Sequence, residues 1–232
     1  MSGGRDQILS GLRRSLKRGD DGGAGQAAVE ARMTAGKRGT VPQRAALPKP
    51  EQVRLFEEML KELSATLQRV DSADEVPGAV ADYLKGLNLP PSLRLAPSPE
   101  LDDLPWSDQP LLEIKKGAAA AEDEVSVTGA FAAVAETGTL MLRSDSESPT
   151  SLGFLPENHV VVLKASQTVG SYEDAWDRLR DEQGQGRMPR SVNFITGPSR
   201  TGDIEQKIEL GAHGPRRLHF ILIDDLEDAA PA

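Results

Sequence analysis

The run His159–Lys164, HVVVLK, constrains the fold more than any other part of the chain. A strand with one wet face alternates apolar and polar residues. A near-continuous apolar run instead belongs to a sheet covered on both faces, the usual situation of parallel sheets packed between helices. Val125–Gly129, Thr139–Arg143, Ser191–Thr196 and Leu218–Ile223 also read as strands, and Thr66–Val70 and Ser92–Ala96 as shorter ones. Helical patterns fall between them. Glu51–Ala65 follows Pro50 and carries Leu55, Met59, Leu60 and Leu63 as its apolar stripe. Ala73–Leu87 turns Val76, Val80, Tyr83 and Leu84 inward, Tyr172–Arg180 turns Ala175, Trp176 and Leu179 inward, and Asp203–Leu210 reads as a last helix. Residues 97–110 and 144–158 are loop-like in composition. Strands alternating with helices predict an α/β fold, a mainly parallel sheet with helices on both faces.

That body occupies residues 51–226, with 227–232 as a tail. Ahead of it, Arg5–Lys17 places Ile8, Leu9, Leu12 and Leu16 on one face of a basic amphipathic helix spanning residues 1–17. Residues 18–50, rich in Gly, Ala and charge, read as a flexible linker. Charge divides the same way. Residues 1–50 carry ten Lys/Arg against four Asp/Glu, whereas the remainder carries seventeen against thirty-two. A basic arm before an acidic body suits docking onto a partner. The arm lacks the interleaved aromatics on which bases stack, which argues against nucleic acid. The chain has no cysteine, which excludes disulfides, a thiol nucleophile and cysteine-ligated iron–sulphur or zinc sites. No apolar run approaches the ~20 residues that span a bilayer, and MSGGRDQILS lacks a signal-peptide core. The expectation is a cytoplasmic protein without a membrane span.

Two loops carry candidate chemistry. The first follows FAAVA and contains Glu136, Thr137, Gly138 and Thr139. Glu136 is a lone acid between two apolar runs. It must find a partner or meet a ligand, and a desolvated carboxylate there could act as base or nucleophile. The second is Gly197, Pro198, Ser199, Arg200 and Thr201, with Asp203 just beyond. Between a strand and a helix, this loop would combine a close-approaching backbone, hydroxyls, a guanidinium fork and a helix N-terminus, the elements of an anion site. The same residues also suit a well-capped helix start. In an open α/β sheet both loops are expected at the carboxyl ends of the strands. The patterns GxxxxGK[ST], GxGxxG and GxSxG are absent, and His159, His213 and His219 show no metal-ligand spacing. His159 and His219 read as structural, and His213 as exposed.

VSVTG, AETGTL, LPENHVVVL, GPSRTGDIE and GAHGPRRLHFILID, in that order, resemble the LUD-domain family, in its lactate-utilisation branch, over Val125–Asp224. RDQILSGLRRSL resembles the start of such proteins, residues 18–110 match in layout only, and the Gly/Ala-rich stretch 18–40 departs from them. The resemblance implies a fold like the NagB/RpiA/CoA-transferase group. It also implies a role with two iron–sulphur partner proteins in oxidising L-lactate to pyruvate. The clusters would sit on those partners, with no cofactor on this chain. A small carboxylate or phosphate-bearing ligand would then lie between the AETGT and GPSRTGD loops, with Glu136 as the candidate catalytic residue. Two alternatives stay open: a free-standing isomerase or transferase of that wider group, and a non-catalytic assembly or regulatory protein.

Overall fold

A computed structural model describes residues 3–16, 24–184, 186–204 and 207–226, with backbone alone at 202–204 and 207–209. The helices are α1 (Gly3–Ser15), α2 (Ala24–Ala35), α3 (Lys49–Glu62), α4 (Val76–Gly86), α5 (Pro99–Asp102) and α6 (Tyr172–Gln183). The strands are β1 (Thr66–Val70), β2 (Ser92–Leu95), β3 (Glu113–Lys116), β4 (Val125–Gly129), β5 (Ala132–Val134), β6 (Thr139–Arg143), β7 (Asn158–Lys164), β8 (Thr168–Val169), β9 (Val192–Thr196), β10 (Arg200–Ile204), β11 (Lys207–Leu210) and β12 (Arg217–Ile223).

The HVVVLK run is β7, and it lies inside a parallel sheet of order β1-β12-β7-β4-β2-β3. Its alternate residues feed different cores. Val160 and Val162, with Ile221 and Ile223 of β12, face α4, which buries Val76, Val80 and Leu84 against them. Val161 and Leu163, with Phe220 and Leu222, face α3, which buries Val53, Phe56 and Leu60. Successive side chains point to opposite faces of a strand, so both faces of a covered sheet are mainly apolar at its centre. Phe56 and Phe220 meet edge-to-face with ring centroids 5.5 Å apart. The buried stripe of α3 is therefore Val53–Phe56–Leu60, rotated from the expected Leu55–Met59–Leu60–Leu63. Met59 and Leu63 are only partly covered and face two loops described below.

The stretch 125–143 contributes three strands rather than two. After β4 it leaves the parallel sheet and folds back as the antiparallel pair β5–β6, the middle of a smaller sheet of order β8-β5-β6-β9. Ala133, Leu140 and Leu142 look inward to the α3 core. Ala132, Val134 and Met141 look outward to Ala175 and Leu179 of α6. This sheet too is covered on both sides, which is why the whole stretch is apolar.

Two expectations are corrected. Asp203–Leu210 is not a helix: Arg200–Ile204 and Lys207–Leu210 pair as an antiparallel hairpin with a bulge. Ile204 and Ile208 sit at helical spacing, but Ser199 ties the two ends together. Its N–H donates to Pro215 O, and its carbonyl accepts from Gly211 N–H. Residues 18–50 are not linker throughout. Ala24–Ala35 is helical, and contact with the body begins at Arg38, which pairs with Asp174 and Asp177 of α6. Ala45 is buried against Gly170, where any side chain would run into the Ala45 carbonyl. Lys17 and the 227–232 tail lie outside the described residues. Among the described residues no helix is long and apolar enough to cross a membrane.

Candidate ligand cleft at the amino edge of the sheet

Both predicted loops converge on the C-terminal end of α3. Gly138 has φ +65°, and a Cβ there would stand 2.9 Å from the Met59 Cβ. Gly197 has φ +78°, and its Cβ would stand 3.1 Å from the Leu63 Cβ. Both positions therefore need glycine for conformation and for space. Hydroxyls join the loops: Thr139 Oγ1 lies 2.7 Å from Thr196 Oγ1 and from Thr137 Oγ1, and Tyr172 Oη closes the group at 2.9 and 3.0 Å. Since α3 leads directly into β1, this junction stands at the amino ends of the parallel strands, not at their carboxyl ends as expected.

Glu136 is buried and accepts the backbone N–H of Tyr172 at 3.1 Å. Tyr172 opens α6, so the carboxylate sits where the helix dipole is positive. Arg200 donates through Nη2 to Leu63 O at 2.6 Å and so caps the last turn of α3. It has no carboxylate partner among the described side chains, and a guanidinium keeps further N–H donors free after one such bond. Thr201 and Asp203 lie along β10.

Beside this junction is a cleft of about 390 Å3. Gly197, Pro198, Ser199 and Arg200 form one wall. Gly153, Phe154 and His159, at the entry to β7, and His213–Pro215 with Leu218, at the entry to β12, form the others. Ser199 Oγ accepts the His213 N–H at 3.1 Å and holds two of these walls together. Glu136, Thr137, Gly138 and Thr139 do not line the cleft; they reach it through Thr196. Among the described residues no acid lines it, and Arg200 is the one permanently charged group. Two hollows at the carboxyl edge, about 310 and 280 Å3, carry more acids than bases: Asp74, Glu100, Asp103, Asp145, Glu147 and Glu182 against Arg143, Lys164 and Arg178. The usual crevice of an open sheet is therefore the less favourable place for an anion here, and the amino-edge cleft the more favourable one.

His159 is the residue that sequence reading underrated. It is fully buried, and its Nε2 lies 2.8 Å from Thr128 Oγ1, while Nδ1 has no partner. Burial pushes its pKa down to about 4, so the ring is neutral at physiological pH. A histidine at the first turn-in of an otherwise apolar strand was the available signal. Among the described residues no cluster of three or more His, Cys, Asp or Glu is placed to hold a metal ion.

Residues 53–223 match the family model of the LUD domain, well over half of the chain. The chain belongs to the LUD-domain family. Among curated proteins, this LUD-domain chain is similar to lactate utilization protein C of Shouchella clausii, 34% identical over 102 residues, 44% of each chain. It is also similar to lactate utilization protein C of Bacillus subtilis, 33% identical over 107 residues, 46% of this chain and 45% of that one. The matched segment thus spans less than half the length of these relatives. A crystal structure of a DUF162 family protein from Deinococcus radiodurans superposes with TM-score 0.57 at 22% identity, over 76% of this chain and 99% of that one. At that identity the likeness speaks for the fold.

Proposed function

We propose that this LUD-domain chain acts in lactate utilisation, as the cysteine-free subunit of a complex that oxidises L-lactate to pyruvate. The LUD-domain match over residues 53–223, with relatives named for lactate utilisation, carries the reading. Oxidising lactate to pyruvate releases two electrons and two protons, so a redox centre is required. A chain without cysteine cannot hold a cysteine-ligated cluster. The electrons then pass to iron–sulphur clusters on two partner proteins, and this subunit contributes binding and assembly. Its part in binding is the amino-edge cleft, where Arg200 offers further guanidinium donors to a carboxylate or phosphate, with no competing acid among the described residues of the wall. Its part in assembly is α1, a basic helix on which Ile8, Leu9 and Leu12 stand exposed, with Leu16 exposed just beyond its end.

The test is genetic and biochemical. Removing the gene should abolish growth on L-lactate but not on pyruvate. The tagged chain should draw down cluster-bearing proteins, and less of them once residues 1–36 are deleted. Unchanged growth on L-lactate would sink the reading.

A further inference from the structure

The cleft carries two features that a three-carbon acid does not use. The first is size and lining. At about 390 Å3 it falls within the range that holds drug-sized ligands. Much of its wall is Leu63, Phe154, Phe194, Ile195 and Leu218. Lactate would leave most of that apolar surface wet. The second is the orphan Nδ1 of His159. A buried polar atom without a partner is costly, and native structures leave few of them. Thr128 occupies Nε2 at 2.8 Å. A neutral imidazole has one donor and one acceptor, so Nδ1 plays whichever role Nε2 does not, and a hydroxyl can answer either. The ring's Cε1 edge lies 3.8 Å from where a Cβ on Gly153 would stand, and both residues line the cleft.

From these we infer that the amino-edge cleft binds an organic anion with a ring-sized apolar body, its acid group on Arg200 and a polar group reaching His159. This rests on the anion reading of the cleft and goes beyond it by fixing the ligand's class. His159 is then a recognition residue, and the ligand is a molecule larger than lactate that the complex uses alongside it. The cost of an unpaired Nδ1 in the free protein is recovered when the ligand binds.

The probes are 6-hydroxy-2-naphthoate, 2-naphthoate without the hydroxyl, and L-lactate without the ring. The readout is the imidazole 15N spectrum of the full chain, simplified by its three histidines, with binding titrations alongside. The hydroxynaphthoate should shift the His159 Nδ1 resonance while leaving His219 in place, and bind at least tenfold tighter than either control. Gly153→Val narrows the cleft beside His159 from a position whose Cβ meets only ordinary contacts, 3.4 Å from Leu142 and 3.8 Å from His159. It should weaken the hydroxynaphthoate by tenfold or more with the fold intact. Arg200→Gln should weaken both naphthoates. If L-lactate binds at Arg200 and neither naphthoate does, the ligand class is wrong and the anion site stands. If none of the three moves an imidazole resonance or loses affinity on Arg200→Gln, both fail. Naphthoate binding indifferent to Gly153→Val and silent at His159 Nδ1 overturns the inference as well.

Discussion

Glu136 had to find a partner, because a carboxylate between two buried strands is not left bare. That much was legible from AETGT. The identity of the partner was not. It depends on β5 running beside β8, where Ala135 N–H donates to Val169 O and Glu136 N–H to Gly170 O, which delivers the first turn of α6 to the carboxylate. No local pattern announces a contact made thirty-six residues away. Gly138 and Gly197 stood out as turn residues, but their crowding against Met59 and Leu63 is a property of how α3 docks. Arg200 stood out in the sequence as a guanidinium fork suited to an anion, but its bond to Leu63 O was not legible there. Glu136→Gln separates position from chemistry. Glutamine keeps an acceptor for Tyr172 N–H and loses the charge opposite the dipole of α6, which should cost about 1 kcal/mol, read by urea unfolding. Ligand binding in the cleft should not change. Loss of ligand affinity at unchanged stability would mean instead that the carboxylate faces a ligand.

At the level of elements, strands covered on both faces were the easiest to read, since β6, β7 and β12 are mostly apolar on both faces. Elements with one exposed side or few large residues were missed. β3 is a charged edge strand, EIKK, and its charges suit an edge that must not recruit another strand. β5 is only Ala-Ala-Val. The hairpin at 200–210 read as a helix because two isoleucines four apart fit either period, and only the tie at Ser199 decides between them. Residues 38–48 read as linker because small and charged residues hide a docking segment whose anchor is one alanine, Ala45. Two truncations check this. Deleting residues 1–36 should leave the melting temperature of the body unchanged, because α1 and α2 bury no residue. Deleting 1–47 should also remove the packing of Ala45 and Leu47, worth on the order of 1–2 kcal/mol, and lower the melt by about 5 °C. Equal melts for the two would show that the segment does not belong to the body.

For the molecule as a whole, two neighbouring interior strands, β7 and β12, place a histidine each near their amino ends, on opposite faces of one sheet. His159 sits in the α3 core. His219 stacks on Tyr83 at 4.3 Å and bonds Thr66 Oγ1 through Nδ1 at 2.8 Å. Among the described residues no acid pairs with either ring, and Tyr83, pushed up to about 12 by burial, stays neutral beside His219. Burial therefore acts unopposed and lowers both pKa values from 6.5 to about 4. A depressed pKa means that the unfolded chain binds the proton first. The stabilisation is thus complete above about pH 6.5 and is lost as pH falls towards 4. At ~1.4 kcal/mol per pKa unit, each histidine accounts for about 3 kcal/mol, and the pair for a large part of a typical domain's 5–15 kcal/mol. Unfolding free energy measured by urea titration should therefore fall steeply between pH 6.5 and 4, before Asp123 and Asp174 come into play. Burial pushes both carboxyls up, but hydrogen bonds from Arg94 to Asp123, and from Ser171 and Arg38 to Asp174, hold them below the usual range. They begin to contribute only at the acid end of that window. Replacing His219 with Gln should remove about half of the slope, whatever it does to the absolute stability. A flat profile from pH 7 to 4.5 would mean that water reaches both rings and that neither edge of the sheet is as closed as its packing indicates.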